Sequence, residues 1–168
     1  MDTSSFLALA LACAPQVHTD TATALVRVES SFNPWAIGVV GGMLERQPRT
    51  RSEALATAKA LRAGRWNFSV GLGQINVGNF DRLGLTLESA FDACTNLAAM
   101  QSVLSECFER AAKPATPAGS QGALRQALSC YYSGNFTTGF QHGYVQKVVA
   151  VASATHRPVP FTSPKEQR

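Results

Sequence analysis

Ala24-Leu25-Val26-Arg27-Val28-Glu29-Ser30-Ser31-Phe32-Asn33-Pro34 is the stretch whose reading decides this fold. It has the periodicity of an amphipathic helix and ends at a proline. Ala22, Leu25, Glu29 and Phe32 fall on one face at helical spacing. Arg27 lies roughly 200° from Glu29 at about 100° per residue, so the arginine is expected in solvent and the glutamate inside. A carboxylate on a buried stripe costs free energy unless it is protonated, hydrogen-bonded or paired. No basic residue stands three or four positions from Glu29 to neutralise it. Two readings follow: an acid of raised pKa able to donate a proton near neutral pH, or a helix-end glutamate turned to water.

The helix around Glu29 has Thr19 or Asp20 as its expected cap. Before it, Phe6 to Ala12 is an apolar run with the look of a signal-peptide core, but no basic residues precede it. It is too short to span a membrane and is read as a buried first helix ended by Pro15. An export signal would then be already removed or lie upstream. After it, Ile37 to Gly42 reads as a loop, Met43 to Arg51 as a basic connection, and Ser52 to Ala63 as a helix stopped by Gly64. Trp66, Phe68 and Val70 alternate with polar residues in a brief strand pattern. Gly71-Leu72-Gly73-Gln74-Ile75-Asn76 follows directly; its glycines permit positive φ or close backbone approach. Its spacing is not that of a nucleotide loop.

A long helix is expected from about Thr95 to Ala111, with Leu97, Met100, Leu104, Cys107, Phe108 and Ala111 as its stripe. Lys113 to Gln121 reads as a linker between helices. Another helix carries Leu124, Ala127, Leu128 and the inward-facing Tyr131, and stops at Gly134-Asn135. The last helix is placed at Phe140 to Thr155. Two units result: a domain over residues 1–156 and a proline-rich tail over 157–168. The fold class from residues alone is mainly α with one short β element.

The chain has 168 residues and a formal charge of +4. Arg46, Arg49, Arg51, Lys59, Arg62 and Arg65 hold much of the excess, either as a solvated face or as a basic rim suited to an anionic polymer. Nothing in the pattern points to nucleic acid. His18, His142 and His156 form no metal motif with the cysteines and are read as incidental. Cys13, Cys94, Cys107 and Cys130 leave open four thiols or two disulfides in any of three connectivities.

Four motifs stand in order: Glu29-Ser30 with Asn33-Pro34; Gly71 to Asn76; Cys130-Tyr131-Tyr132-Ser133-Gly134-Asn135; and Gly143-Tyr144-Val145-Gln146-Lys147-Val148. Together they resemble the soluble lytic transglycosylase family, most of all the branch that accompanies type IV secretion and conjugation machines, over residues 8 to 155. The resemblance implies a lysozyme-like α+β domain that cleaves the MurNAc–GlcNAc bond of peptidoglycan and leaves a 1,6-anhydro sugar, with no cofactor. It implies Glu29 as the single catalytic acid and base, and Ser30 as support for the acid or the substrate. Gln74 and Asn76 would line the glycan cleft, Tyr131 would orient the catalytic carboxyl, and Tyr144 would contact the site. On residue type alone, Ser30 also reads as a helix-end polar group, Gln74 and Asn76 as turn formers, and Tyr144 as core. Tyr132 stands where the family pattern has asparagine, and the segment Val40 to Asn67 is long for the general family.

Only one acid lies inside a motif, whereas a retaining glycosidase usually needs two carboxylates. The resemblance therefore implies that the substrate supplies its own nucleophile, the C6 hydroxyl. Peptidoglycan lies outside the cytoplasm, so the resemblance also implies a periplasmic location and favours disulfides, paired Cys13–Cys94 and Cys107–Cys130. A Cys94–Cys107 link is disfavoured, because the helix would hold them ~20 Å apart. Components of a type IV secretion system are the implied partners. The alternatives are a hydrolysing muramidase on the same fold, or an assembly factor whose tail, 157–168, binds a partner.

Overall fold

The computed structural model describes residues 1–112 and 119–155. In order they form α1 (Thr3–Cys13), α2 (Thr19–Ser30), β1 (Ile37–Val39), α3 (Arg51–Ala63), β2 (Phe68–Val70), β3 (Ile75–Asn76), α4 (Phe80–Leu83), α5 (Leu87–Ala90), α6 (Ala93–Ala112), α7 (Gly119–Ser133), α8 (Thr138–Gln141) and α9 (Tyr144–Thr155). The mainly α class with a small β element is observed. The sheet has three antiparallel strands in the order β1-β2-β3, with Ile37 opposite Val70 and Val70 opposite Ile75. The expected tail, 157–168, lies outside the described residues.

Helix α6 organises the core because its apolar stripe is continuous. Leu97, Met100, Leu104, Cys107 and Ala111 are all buried, and α1 and α7 pack against it. Each large aliphatic side chain of that stripe contributes roughly 1.5–3 kcal/mol relative to remaining exposed. Helices α2 and α9 pack together, although more than a hundred residues separate them. Phe6 of α1 meets Phe32 edge to face at 5.0 Å, which closes the base of α2.

Several local expectations are corrected. Strand β1 forms where a loop was expected, because three residues are too few to show alternation and the pairing comes from β2. Its outer edge is satisfied by a side chain: the Gln47 amide accepts from Ile37 N at 2.8 Å and donates to Ile37 O at 2.9 Å. Trp66 stands outside β2 and is exposed, so the strand is shorter than the alternation implied. The α2 cap is His18, whose Nδ1 accepts from Asp20 N, rather than Thr19 or Asp20. The first helix buries only Phe6 and Ala10; Leu7 and Leu11 face solvent. Helix α7 already begins at Gly119, inside the expected linker. The expected last helix is broken in two at Gly143, whose φ of +73° ends α8. Phe140, Tyr144, Val148 and Val151 keep one stripe across that break, which hid it from periodicity.

The structure joins Cys13 to Cys94, tying α1 to α6, and Cys107 to Cys130, tying α6 to α7. The loops they close span 81 and 23 residues. Chain-entropy arguments give about 4.5 and about 3 kcal/mol for loops of those lengths. Replacing both cysteines of a pair by serine is thus expected to cost more for Cys13–Cys94 than for Cys107–Cys130. Urea unfolding of the two double variants checks the order.

Candidate active site

The last turn of α2 carries Glu29, and the chain then leaves the helix sharply. Ser31 and Phe32 both adopt left-handed backbone, with φ of 51° and 62°. Asn33 Oδ1 accepts from Trp35 N at 2.9 Å, an Asx turn that sends the chain into β1. Glu29 is thereby left at the mouth of a cleft of about 480 Å³. The sheet supplies Val39, Ser69, Ile75 and Asn76 to its lining, α6 supplies Val103, and the end of α7 supplies Tyr131 to Gly134. Among the described residues, Glu29 is the only carboxylate or cation in that lining.

The Gly71–Asn76 turn is clamped from two helices. Gly71 has φ +78°, and a Cβ there would stand 2.3 Å from Asn96 Nδ2. A Cβ on Gly73 would stand 2.9 Å from Met100 Cβ and 3.0 Å from the Tyr131 hydroxyl. Asn96 of α6 accepts from Gly73 N at 2.8 Å and donates to Val70 O and Ala90 O at 3.0 and 2.8 Å. One buried side chain thus bonds three backbone groups. Tyr131 of α7 donates to Gly73 O. Gln74, at φ 49°, donates from Nε2 to Ala36 O at 3.1 Å and Gly71 O at 2.9 Å. Asn76 donates to Asn67 Oδ1 at 2.8 Å and Ser69 Oγ at 3.2 Å, and accepts from Gly78 N at 2.9 Å.

Tyr144 opens α9 and donates its hydroxyl to Glu29 Oε1. This redistributes the tyrosine roles implied by the family resemblance. Tyr144 holds the carboxyl directly, while the Tyr131 hydroxyl holds the Gly73 carbonyl. Burial pushes the Glu29 carboxyl up to about 7; the Tyr144 hydrogen bond and then the Lys147 charge pull the other way. Burial first, and the nearby Glu29 charge second, push both tyrosine hydroxyls up, so they stay protonated donors.

Of the expected site residues, Glu29, Gln74, Asn76 and Tyr131 line the cleft, and Tyr144 stands on Glu29. Ser30 does not join them: it is buried and its hydroxyl returns to Val26 O at 3.2 Å, the helix-end role. The Arg46–Arg65 cluster does not line the cleft either. Arg46 pairs with Glu53 and Lys59 with Glu88, each at 3.0 Å. Asn96 escaped the sequence reading, Tyr132 was noted only as a departure from the family pattern, and His142 was read as incidental. Asn96 is a lone amide on the buried stripe of α6, and that polarity was its signal. Tyr132, half exposed in the cleft, stacks on Tyr144 with ring centroids 4.5 Å apart. His142 meets the Tyr132 hydroxyl through Nδ1 at 3.2 Å.

Among the described residues, a small helical domain thus presents one glutamic acid of raised pKa in an open, amide- and aromatic-lined cleft. The model of the Transglycosylase SLT domain matches residues 6–150, and the chain belongs to that family. Among curated proteins it is similar to the type IV secretion system protein virB1 of Brucella abortus, with 51% identity over 159 residues. That match covers 92% of this chain and 66% of the relative. It is also similar to the protein virB1 of Rhizobium radiobacter, at 39% identity over 156 residues, covering 92% of this chain and 63% of that protein. The chain thus spans just under two thirds of the length of these relatives. No solved structure matches it.

The raised pKa of Glu29 sets a sign for stability. The folded state holds the proton up to about pH 7, whereas the unfolded chain releases it near 4.5. The Glu29 contribution to stability is therefore greatest below 4.5, falls between 4.5 and 7, and stays low above, by at most about 3 kcal/mol. Glu29→Gln is expected to abolish that decline and to gain on the wild type as pH rises from about 5 to about 8. Calorimetric unfolding of both proteins across this range checks it.

Proposed function

We propose that this chain is a peptidoglycan lytic transglycosylase. It cleaves the β-1,4 bond between MurNAc and GlcNAc, leaves 1,6-anhydroMurNAc, and opens the periplasmic wall locally for a type IV secretion apparatus. The observation that carries this reading is the one carboxyl in the described cleft lining, raised to about 7 and hydrogen-bonded by Tyr144. Family membership supports the reaction class, and the name of the Brucella relative supports the secretion context.

At neutral pH roughly half of the Glu29 side chains carry a proton, the condition for one group to act as acid and then base. In the first step Glu29 gives its proton to the glycosidic oxygen, the C1–O bond breaks, and GlcNAc departs as an alcohol. The N-acetyl group of MurNAc stabilises the positive C1. In the second step ionised Glu29 takes the proton of the C6 hydroxyl, and O6 bonds to C1. No water is consumed and Glu29 ends protonated, as it began. Tyr144 positions the carboxyl and steadies its ionised form. Tyr131, through Gly73, holds the turn that brings Gln74 and Asn76 to the glycan. The catalytic unit in this reading is residues 1–156, with 157–168 as a tether to a partner.

Glu29→Gln is expected to lower turnover of purified sacculi at least ~10²-fold without loss of the fold. Mass spectrometry of released muropeptides separates the reactions: anhydro ends support the lyase, and reducing ends would replace it with a hydrolysing muramidase. Tyr144→Phe removes a bond that favours ionised Glu29, so the pKa rises. The alkaline fall of kcat/KM, expected above about pH 7 in the wild type, should move to higher pH in that variant. An unmoved limb in a pH–rate profile would place the Tyr144 effect elsewhere.

A further inference from the structure

A second hollow, of about 250 Å³, opens beside the catalytic cleft. The two share Asn79, Val103, Tyr131 and Gly134, so a ligand in one adjoins a ligand in the other. Their chemistry differs. Among the described residues no cation lines the cleft, whereas Arg82 and Arg110 both line the side lobe. Glu106 is the acid of that lobe, and it is already paired with Arg82, which also donates to Asn79 Oδ1 at 3.3 Å.

Arg110 is placed differently. Among the described residues it forms no ion pair with a carboxylate. Its guanidinium lies 5.4 Å from the centroid of the Phe136 ring, and Nη1 stands 3.4 Å from Cys130 Sγ. These contacts hold the group in place without neutralising its charge or using its whole fork of donors. The disulfide Cys107–Cys130 fixes the two helices that carry Arg110 and Tyr131. Among the described residues the lobe therefore presents a positioned cation with no carboxylate partner, beside the cleft with which it shares a wall, a geometry suited to a carboxylate taken in bidentate fashion.

We propose that this lobe is a carboxylate subsite of the glycan cleft and that Arg110 binds the anion. The inference rests on the peptidoglycan reading above. A muramyl sugar in the cleft carries a lactyl substituent, and that substituent ends either in its own carboxylate or in an acidic peptide. Either source offers the same group to Arg110. The subsite makes the enzyme sensitive to what hangs from the glycan, beyond the sugar backbone itself.

The test uses Arg110→Gln and Arg110→Lys. Cosedimentation with purified sacculi, in a Glu29→Gln background, reads binding without turnover; kinetics use the otherwise wild-type chain. Arg110→Gln is expected to weaken binding and raise KM about fivefold, the scale of a partly exposed charge-assisted contact, with kcat little changed. Arg110→Lys should recover part of the loss, and thermal unfolding should show all variants folded. Sacculi whose carboxyls have been chemically amidated should erase the difference between the Arg110→Gln protein and its parent. Strands stripped of peptide by an amidase, which keep only the lactyl carboxylate, separate the sources. A difference that persists there assigns the lactyl group, and one that vanishes assigns the peptide acids. Equal binding of the Arg110→Gln protein and its parent to untreated sacculi would overturn the subsite, as would a loss that survives amidation. A wild-type chain that binds through Arg110 but releases no anhydro ends would overturn the lyase reading instead and leave the subsite standing.

Discussion

The hydrogen bond from Tyr144 to Glu29 joins residues 115 positions apart, and much of the architecture serves to make it. Glu29 must be at the end of a helix, so that the carboxyl emerges from the core into a cleft while its own helix stays packed. Tyr144 must begin a new helix aimed at that point. The break at Gly143 does this: a continuous helix from Thr138 would have kept the stripe but changed the direction of α9. Packing of α2 on α9 then brings the two side chains into direct hydrogen-bond contact and buries them. The same exclusion of water raises the acid and keeps the phenol protonated.

The opposite wall of the cleft is set by a turn that is also held from outside. Within Gly71 to Asn76, Gln74 bonds back to Gly71 O from both N and Nε2, and the further ties come from outside the turn. Asn96 ties the turn to α6, and Tyr131 ties it to α7. Both clamps need glycine: a side chain at 71 would collide with Asn96, and one at 73 with Met100 and Tyr131. The two helices are in turn joined by Cys107–Cys130, one residue before Tyr131. Precision at this wall of the cleft is thus inherited from the α6–α7 pair, the most extensively packed pair of elements among the described residues.

Legibility from the sequence followed physical range. Helices α2, α3 and α6 were readable because their apolar periodicity is local, as is the Gly64 stop of α3; the His18 cap of α2 was not read. Glu29 was readable for the same reason, as an acid on an apolar face. Strand β1 was not, because its hydrogen bonds are made with residues some thirty positions away and with the Gln47 amide. The break at Gly143 was masked by a stripe that runs across it. Ser30 and the two tyrosines show the limit of motif transfer. A motif names the residues near a site, but hydroxyl direction depends on packing between elements, and here Tyr144 rather than Tyr131 reaches the acid.

Charge is distributed so as to leave Glu29 its proton. A cation in the cleft lining would favour the carboxylate and draw its pKa back toward the ordinary range. The chain is basic overall, yet the described cleft lining carries none of that excess. The cations of α3 and the loop before it lie elsewhere, several of them held by Glu53 and Glu88. Lys147, four residues after Gly143, is the cation that acts on Glu29, and its effect ranks below that of burial. Arg110 sits one lobe away. The proposed reaction asks the protein both to bind an anionic polymer and to keep one acid half protonated, tasks that have to be separated in space. Placing the guanidinium in the adjoining lobe does so: in that proposal the anion is recognised beside the cleft while the proton chemistry stays in a described lining that is otherwise uncharged.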